Sequence, residues 1–114
     1  MVAKDRINKE QVMSVVEFVR TQAVEGKTAE LRKALEGAIR RFPQQPGCIR
    51  AKALQAVESE DPSVFFLVIE WETLDAHLKW RDSEVEGRVW FKENVRPFMG
   101  GTNLTGHYVQ FVEA

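Results

Sequence analysis

The sequence holds one cysteine, Cys48, and two histidines, His77 and His107, among 114 residues. A single thiol excludes an internal disulfide and a multi-thiolate zinc site. Two histidines without a neighbouring carboxylate pattern give no metal-ligand motif, so no bound metal is expected. The seven glycines never fall into the G-x-G-x-x-G or G-x-x-x-x-G-K spacing of a phosphate-cradling loop. No nucleophile elbow supports Ser-His-Asp chemistry. Long apolar runs are missing too. The longest, Val64 to Ile69, falls far short of the ~20 residues of a membrane span. Met1 to Glu10 is polar and charged, without the apolar core of a signal peptide. Together these absences predict a reduced, cytoplasmic protein that does not enter a membrane.

What is present is a globular composition, 44% hydrophobic and 29% charged, sized for one domain over 1–114 with residues 1–11 as a polar leader. The net charge of −1 hides an asymmetry. Residues 1–57 carry eleven Lys and Arg against six Asp and Glu, and residues 58–114 carry five against eleven. The basic residues are spread along the chain without interleaved aromatics, so nucleic acid is not an expected partner. The two halves read instead as electrostatic complements. Nine of the eleven aromatic residues lie from Phe65 onward, and Trp71, Trp80 and Trp90 fall within twenty positions.

Val12 to Thr21 is β-branched and reads as a strand. Leu31, Leu35, Ala38 and Phe42 recur at helical spacing, giving a helix of about four turns that Pro43 and Pro46-Gly47 end. Cys48 to Val57 and Val64 to Glu72 are predicted as a hairpin of two strands, the first partly exposed and the second central. Thr73 and Ser83 stand where helix caps belong, and Ser83-Glu84-Val85-Glu86 has the form of a capping box. Two short helices over 74–81 and 84–95, or one broken helix, follow. Gly100-Gly101 closes that region, and Leu104 to Val112 is the last predicted strand. The order β-α-β-β-α-β specifies an α+β, ferredoxin-like fold with helices on one face of a four-stranded antiparallel sheet.

Alternation gives the central strand two apolar faces: Phe65, Leu67, Ile69 and Trp71 on one, Val64, Phe66 and Val68 on the other. The first strand behaves likewise. Helices cover one side only, and a bare apolar face of this extent is unusual in a monomer. A homodimer joined through the sheet face is therefore expected.

The residues that could carry chemistry cluster after the central strand: Trp71, then His77, Trp80 and Arg81, then Arg88, Trp90, Phe91 and Asn94. His77 shares a helix face with Trp80 and Arg81. These rings suit either a pocket for a planar ligand or an ordinary core. His107 alternates with Tyr108 and fits a structural role. Cys48 reads as a small packed residue, and Glu17 is a secondary candidate for a buried acid.

Several segments resemble the antibiotic biosynthesis monooxygenase domain family: Glu25-Gly26-Lys27, Pro46-Gly47-Cys48, Trp71 through Thr73 to Ala76-His77, Pro97-Phe98 and His107-Tyr108. The likeness spans residues 12–112. It implies a dimeric α+β barrel, and an enzyme that oxidises a small phenol or hydroquinone with dioxygen and uses no flavin, haem or metal. By that resemblance His77 is the base, Trp71 and Trp90 are ring walls, and Arg88 or Arg81 steadies the developing phenolate. Trp80, Phe91 and Leu67 complete the implied substrate contacts. The chain departs from the polyketide-quinone branch at Leu67, where that branch has an Asn four residues before its Trp. It resembles the haem-degrading branch at Trp80. However, Phe18 and Trp90 stand where that branch has its Asn and its haem-ligating His, which argues against haem. Other relatives are isomerases or degrade small signalling molecules, and the alternative reading is a non-oxygenase of the same fold, a dimeric small-ligand-binding protein or an isomerase.

Overall fold

The computed structural model describes residues 14–114; the leader over 1–11 and the predicted strand residues Val12 and Met13 lie outside them. β1 (Val15–Ala23) leads into α1 (Thr28–Arg41) and a 3-10 turn, Phe42–Gln44. β2 (Cys48–Gln55) and β3 (Val64–Trp71) follow. Then come α2 (Leu74–Arg81), α3 (Glu86–Asn94), a second 3-10 turn over Arg96–Phe98, and β4 (Met99–Tyr108). All strand pairs are antiparallel and the sheet order is β2-β3-β1-β4. The fold is the expected ferredoxin-like α+β arrangement, with β2, carrying Arg50 and Lys52, at an edge. Among the described residues no helix is long and apolar enough to cross a membrane.

The helix-covered face of the sheet builds the core. Phe65, Leu67, Ile69 and Trp71 of β3 are all at most 2% exposed. Leu31, Leu35 and Ala38 of α1 press onto them from one side of the helix. Each of the two leucines contributes about 1.5–3 kcal/mol when taken out of water. The other face also holds apolar residues. Phe18 meets Phe66 with ring centroids 5.3 Å apart and Tyr108 at 6.4 Å. Val16, Phe18, Phe66 and Val68 are half-buried there, and Leu104 and Tyr108 are each 58% exposed.

Two expectations need correction. Ser83 does not cap α3, which begins at Glu86 with Val85 before it and has no side-chain cap. The Ser83 hydroxyl instead donates to the Trp80 carbonyl at 2.7 Å, closing the end of α2. The same oxygen accepts from the Val85 N–H at 3.4 Å, one residue before the helix begins, and from no amide within it. Thr73 does cap α2, accepting from the Ala76 N–H at 3.0 Å.

The last strand starts at Met99, five residues before the predicted Leu104, and stops at Tyr108 rather than Val112. Gly100 and Gly101 do not break it. Gly101 adopts φ +67° beside a register shift between Arg20 and Gln22, so the glycine pair bends the strand and lets it continue. Beyond Tyr108 only Val109 is half-buried, and Phe111 is 90% exposed.

Gly47 shows how tightly the site's framework is set. Its φ is +81°, and a Cβ there would sit 2.6 Å from the Ala76 Cβ. The turn into β2 thus lies directly against the helix that carries His77. Its carbonyl also accepts from Glu72 N at 2.7 Å.

Candidate active site

Between the covered sheet face and the α2–α3 layer lies a cavity of about 220 Å³. β1 contributes Glu17, β3 contributes Leu67 and Ile69, and β4 contributes Asn103 and His107. The helical side supplies His77, Trp80, Phe91 and three arginines. Two larger depressions, of about 440 and 370 Å³, are surface grooves, one beside α1 and β2 and one between Gly47 and α2. Neither contains a buried acid or a histidine.

The chemistry of the cavity starts at Glu17. It is the one acid in β1, and alternation turns it inward with Val15 and Val19, where it is 8% exposed. A buried carboxylate is costly unless N–H donors meet it. Two do. The Trp71 indole N–H donates to Glu17 Oε1 at 3.0 Å, and His77 Nε2 lies 3.1 Å from the same oxygen. Trp71 therefore finds in Glu17 the polar partner that Leu67 does not provide.

The register of β4 adds the third member. His107 pairs with Glu17 across β1 and β4, so both face the helices, and His107 Nε2 lies 2.8 Å from His77 Nδ1. With Glu17 ionised, donor accounting assigns the protons. His77 Nε2–H donates to Glu17, so its Nδ1 accepts from His107 Nε2–H. The lone pair left over sits on His107 Nδ1, which no described residue occupies. The chain Glu17–His77–His107 thus runs from a buried acid to the cavity. His107 is held below the ordinary 6.5 by burial first and then by His77, against a weaker upward pull from Glu17. It is consequently neutral near pH 7 and able to take a proton. Among the described residues no group of three His, Cys, Asp or Glu is placed to hold a metal ion.

The sequence-predicted site residues divide. His77, Trp80, Arg81, Arg88, Phe91 and Leu67 all border the cavity. His77 is 3% exposed with both ring nitrogens engaged, so the nitrogen open to a ligand belongs to His107 and not to His77. Trp71 is fully buried behind the cavity, its ring 5.1 Å from that of His77. Trp90 is not among the lining residues. It packs under Arg41, 3.7 Å from ring to guanidinium carbon, on the far side of α3. Successive residues on a helix point about 100° apart, and Phe91 takes the inward direction. Asn94 is exposed and donates to the Trp90 carbonyl.

Sequence reasoning missed Gln45, whose Oε1 accepts the Trp80 indole N–H at 2.9 Å while its Nε2 donates to the Arg41 carbonyl. That pair fixes the Trp80 ring against the cavity. Nothing in the linear pattern singles out a glutamine between two prolines. Cys48 is a half-buried thiol that burial first, and then Glu17, pushes up to about 11, so it is not a nucleophile at neutral pH.

Known proteins share this architecture. A candidate antibiotic biosynthesis monooxygenase of Bordetella bronchiseptica superposes with a TM-score of 0.75 at 22% identity, covering 87% of this chain and 98% of its own. A second, from Nitrosomonas europaea, gives 0.74 at 20% identity, with 88% and 92% covered. A variant of SnoaB, a cofactor-independent oxygenase of Streptomyces nogalater, gives 0.70 at 19% identity, with 89% and 96% covered. At such identities these likenesses establish the fold. No curated protein matches the sequence. The sequence model for antibiotic biosynthesis monooxygenases, however, matches residues 14–88, from the start of β1 to Arg88 of α3. Since that match takes in most of the chain, and the fold agrees with it, the protein belongs to the antibiotic biosynthesis monooxygenase family.

Proposed function

We propose that the protein is a cofactor-independent monooxygenase acting on a small phenolic or hydroquinone-like substrate with dioxygen. The observation that carries this reading is the chain Glu17–His77–His107 ending in an aromatic-walled cavity. Membership of the family and the fold shared with SnoaB support it.

A phenol with a free para C–H is oxidised in three steps. His107 Nδ1 accepts the phenolic proton, and its own Nε2 proton moves to His77, whose new charge Glu17 stabilises. The phenolate is electron-rich at its para carbon, which forms a C–O bond to dioxygen; the proton returns to make the hydroperoxide. The para C–H proton then leaves to the same base as the O–O bond breaks, giving a quinone and, with that proton, one water. The substrate loses four electrons, and both oxygen atoms are accounted for. Trp80 and Phe91 hold the ring, and Arg88 or Arg81 steadies the phenolate. Burial of His77 and Glu17 keeps the relay away from bulk water.

Oxygen-electrode measurements with a panel of hydroquinones and para-unsubstituted phenols test this. Protein-dependent uptake is expected with at least one compound, one dioxygen per quinone formed. Binding of these compounds without any oxygen consumption would assign the chain to the binding or isomerase class of the same fold.

We further propose that the open sheet face, centred on Phe18 and Phe66, is covered by a second copy. Light scattering at micromolar concentration is expected to give twice the chain mass, and Phe66→Asp to return the monomer. A monomeric wild type removes the idea.

A further inference from the structure

The cavity carries more positive charge than its own acid answers. Arg81 at the end of α2, Arg88 on α3 and Arg96 in the turn before β4 all border it. Against them stands Glu17, whose Oε1 already accepts from Trp71 and His77. Arg88 donates from Nε to the Arg81 carbonyl at 3.1 Å and lies over the Trp80 ring at 5.2 Å. Arg81 meets the exposed Asp82 at 3.2 Å. Among the described residues no carboxylate forms an ion pair with Arg88 or Arg96. Burial first, and then the charge of Arg96, holds the Arg88 guanidinium below its ordinary value. That is the behaviour of a cation without its counter-ion. His107, which lines the same cavity, is held below its ordinary 6.5 and brings no further charge near pH 7.

Size narrows the ligand further. An apolar cavity of ~150 Å³ holds one benzene, whereas sites for drug-sized ligands run to about 300–1,000 Å³. The 220 Å³ here matches a single substituted ring.

We propose that the substrate is a monocyclic phenolic acid: one ring stacked on Trp80 and Phe91, its carboxylate held by Arg88 and Arg96, its hydroxyl turned to His107, so that of the two arginines named for the phenolate Arg81 is the one left to steady it. The planar guanidinium fork matches a carboxylate in a way that a neutral amide cannot use. The placing of the hydroxyl rests on the oxygenase reading above; the carboxylate half rests on the arginines alone.

Calorimetric titration under nitrogen with 3-hydroxybenzoate and its neutral counterpart 3-hydroxybenzamide tests the proposal. The acid is expected to bind at least about tenfold more tightly. Arg88→Gln should abolish that preference. Arg96→Gln, at an exposed position outside the core, should reduce it severalfold. Equal affinity for the two compounds, binding of neither, or a preference that survives both substitutions overturns the proposal. Oxygen uptake in air separates this from the oxygenase reading. Tight, arginine-dependent binding of the acid with no uptake of oxygen supports the anion site and removes the oxygenase. Uptake with the amide at the same kcat/KM as the acid removes the anion site and leaves the oxygenase standing.

Discussion

Replacing His107 with alanine is expected to lower kcat/KM for a phenolic substrate by about 10²- to 10⁴-fold, the usual contribution of a positioned general base. His107 lies on an edge strand and loses little packing, so the cost in stability should be confined to the partner that the buried His77 Nδ1 loses, about 1–3 kcal/mol. Its pH dependence gives a second readout. A base works when deprotonated, and His107 is held below 6.5 by burial, His77 and Arg81, with Glu17 opposing. The neutral form therefore persists to lower pH, and the acid limb of kcat/KM should lie below pH 6.5. Glu17→Gln removes the opposing carboxylate, so the limb should move further down while kcat falls, because the imidazolium formed on His77 loses its counter-charge. A variant lacking His107 with wild-type kcat/KM removes the base. So does a wild-type acid limb that lies above pH 6.5.

Trp71→Ala should be the most damaging single change to stability, lowering the unfolding free energy by about 3–5 kcal/mol. That is a large share of the ~5–15 kcal/mol that holds a typical domain together. The indole is fully buried and touches the rings of Phe42, His77 and Trp80 at centroid distances of 6.3, 5.1 and 5.6 Å. Its removal opens a void and leaves Glu17 with one donor. Trp71→Phe separates the two effects. It keeps most of the packing and strips only the N–H, for which about 1–3 kcal/mol is expected. Urea denaturation of both variants reads the difference. Equal midpoint shifts would mean that the lost hydrogen bond to Glu17 accounts for the whole effect and the packing for none; an unshifted Trp71→Phe would mean the reverse.

The fold was largely legible because it rests on local signals. Period-two alternation in Val64–Trp71, the helical spacing of Leu31, Leu35 and Ala38, and the Thr73 cap each act within a few residues. The last strand was placed late because a glycine pair is read as a stop, whereas Gly100-Gly101 bends against Val24 and continues pairing. The site was half legible. His77, Trp80 and Arg81 could be grouped from helix spacing alone. Glu17 was visible as an oddity, an acid among β-branched residues. The meeting of Glu17 with His107 depends on the register between β1 and β4, which are separated by most of the chain. Such non-local pairing leaves no mark in a window of sequence. Trp90 and Phe91 are neighbours in the chain, and only the packing of α3 decides which of them turns inward.

The position of β4 sets the order in which function and fold give way. Glu17 lies on a central strand and His77 against it, but His107 lies on an edge strand that pairs with β1 alone and whose described side chains beyond Gly101 are nearly all exposed. Edge segments of this kind open before the core does. Peeling of β4 would lift the terminal imidazole away while leaving the acid and the inner histidine in place, so the proton path breaks at a denaturant concentration where the tryptophans are still packed. Tyr108, the next residue, points to the opposite face beside Phe18. A contact that pins that tyrosine would therefore also fasten the His107 end of the chain Glu17–His77–His107.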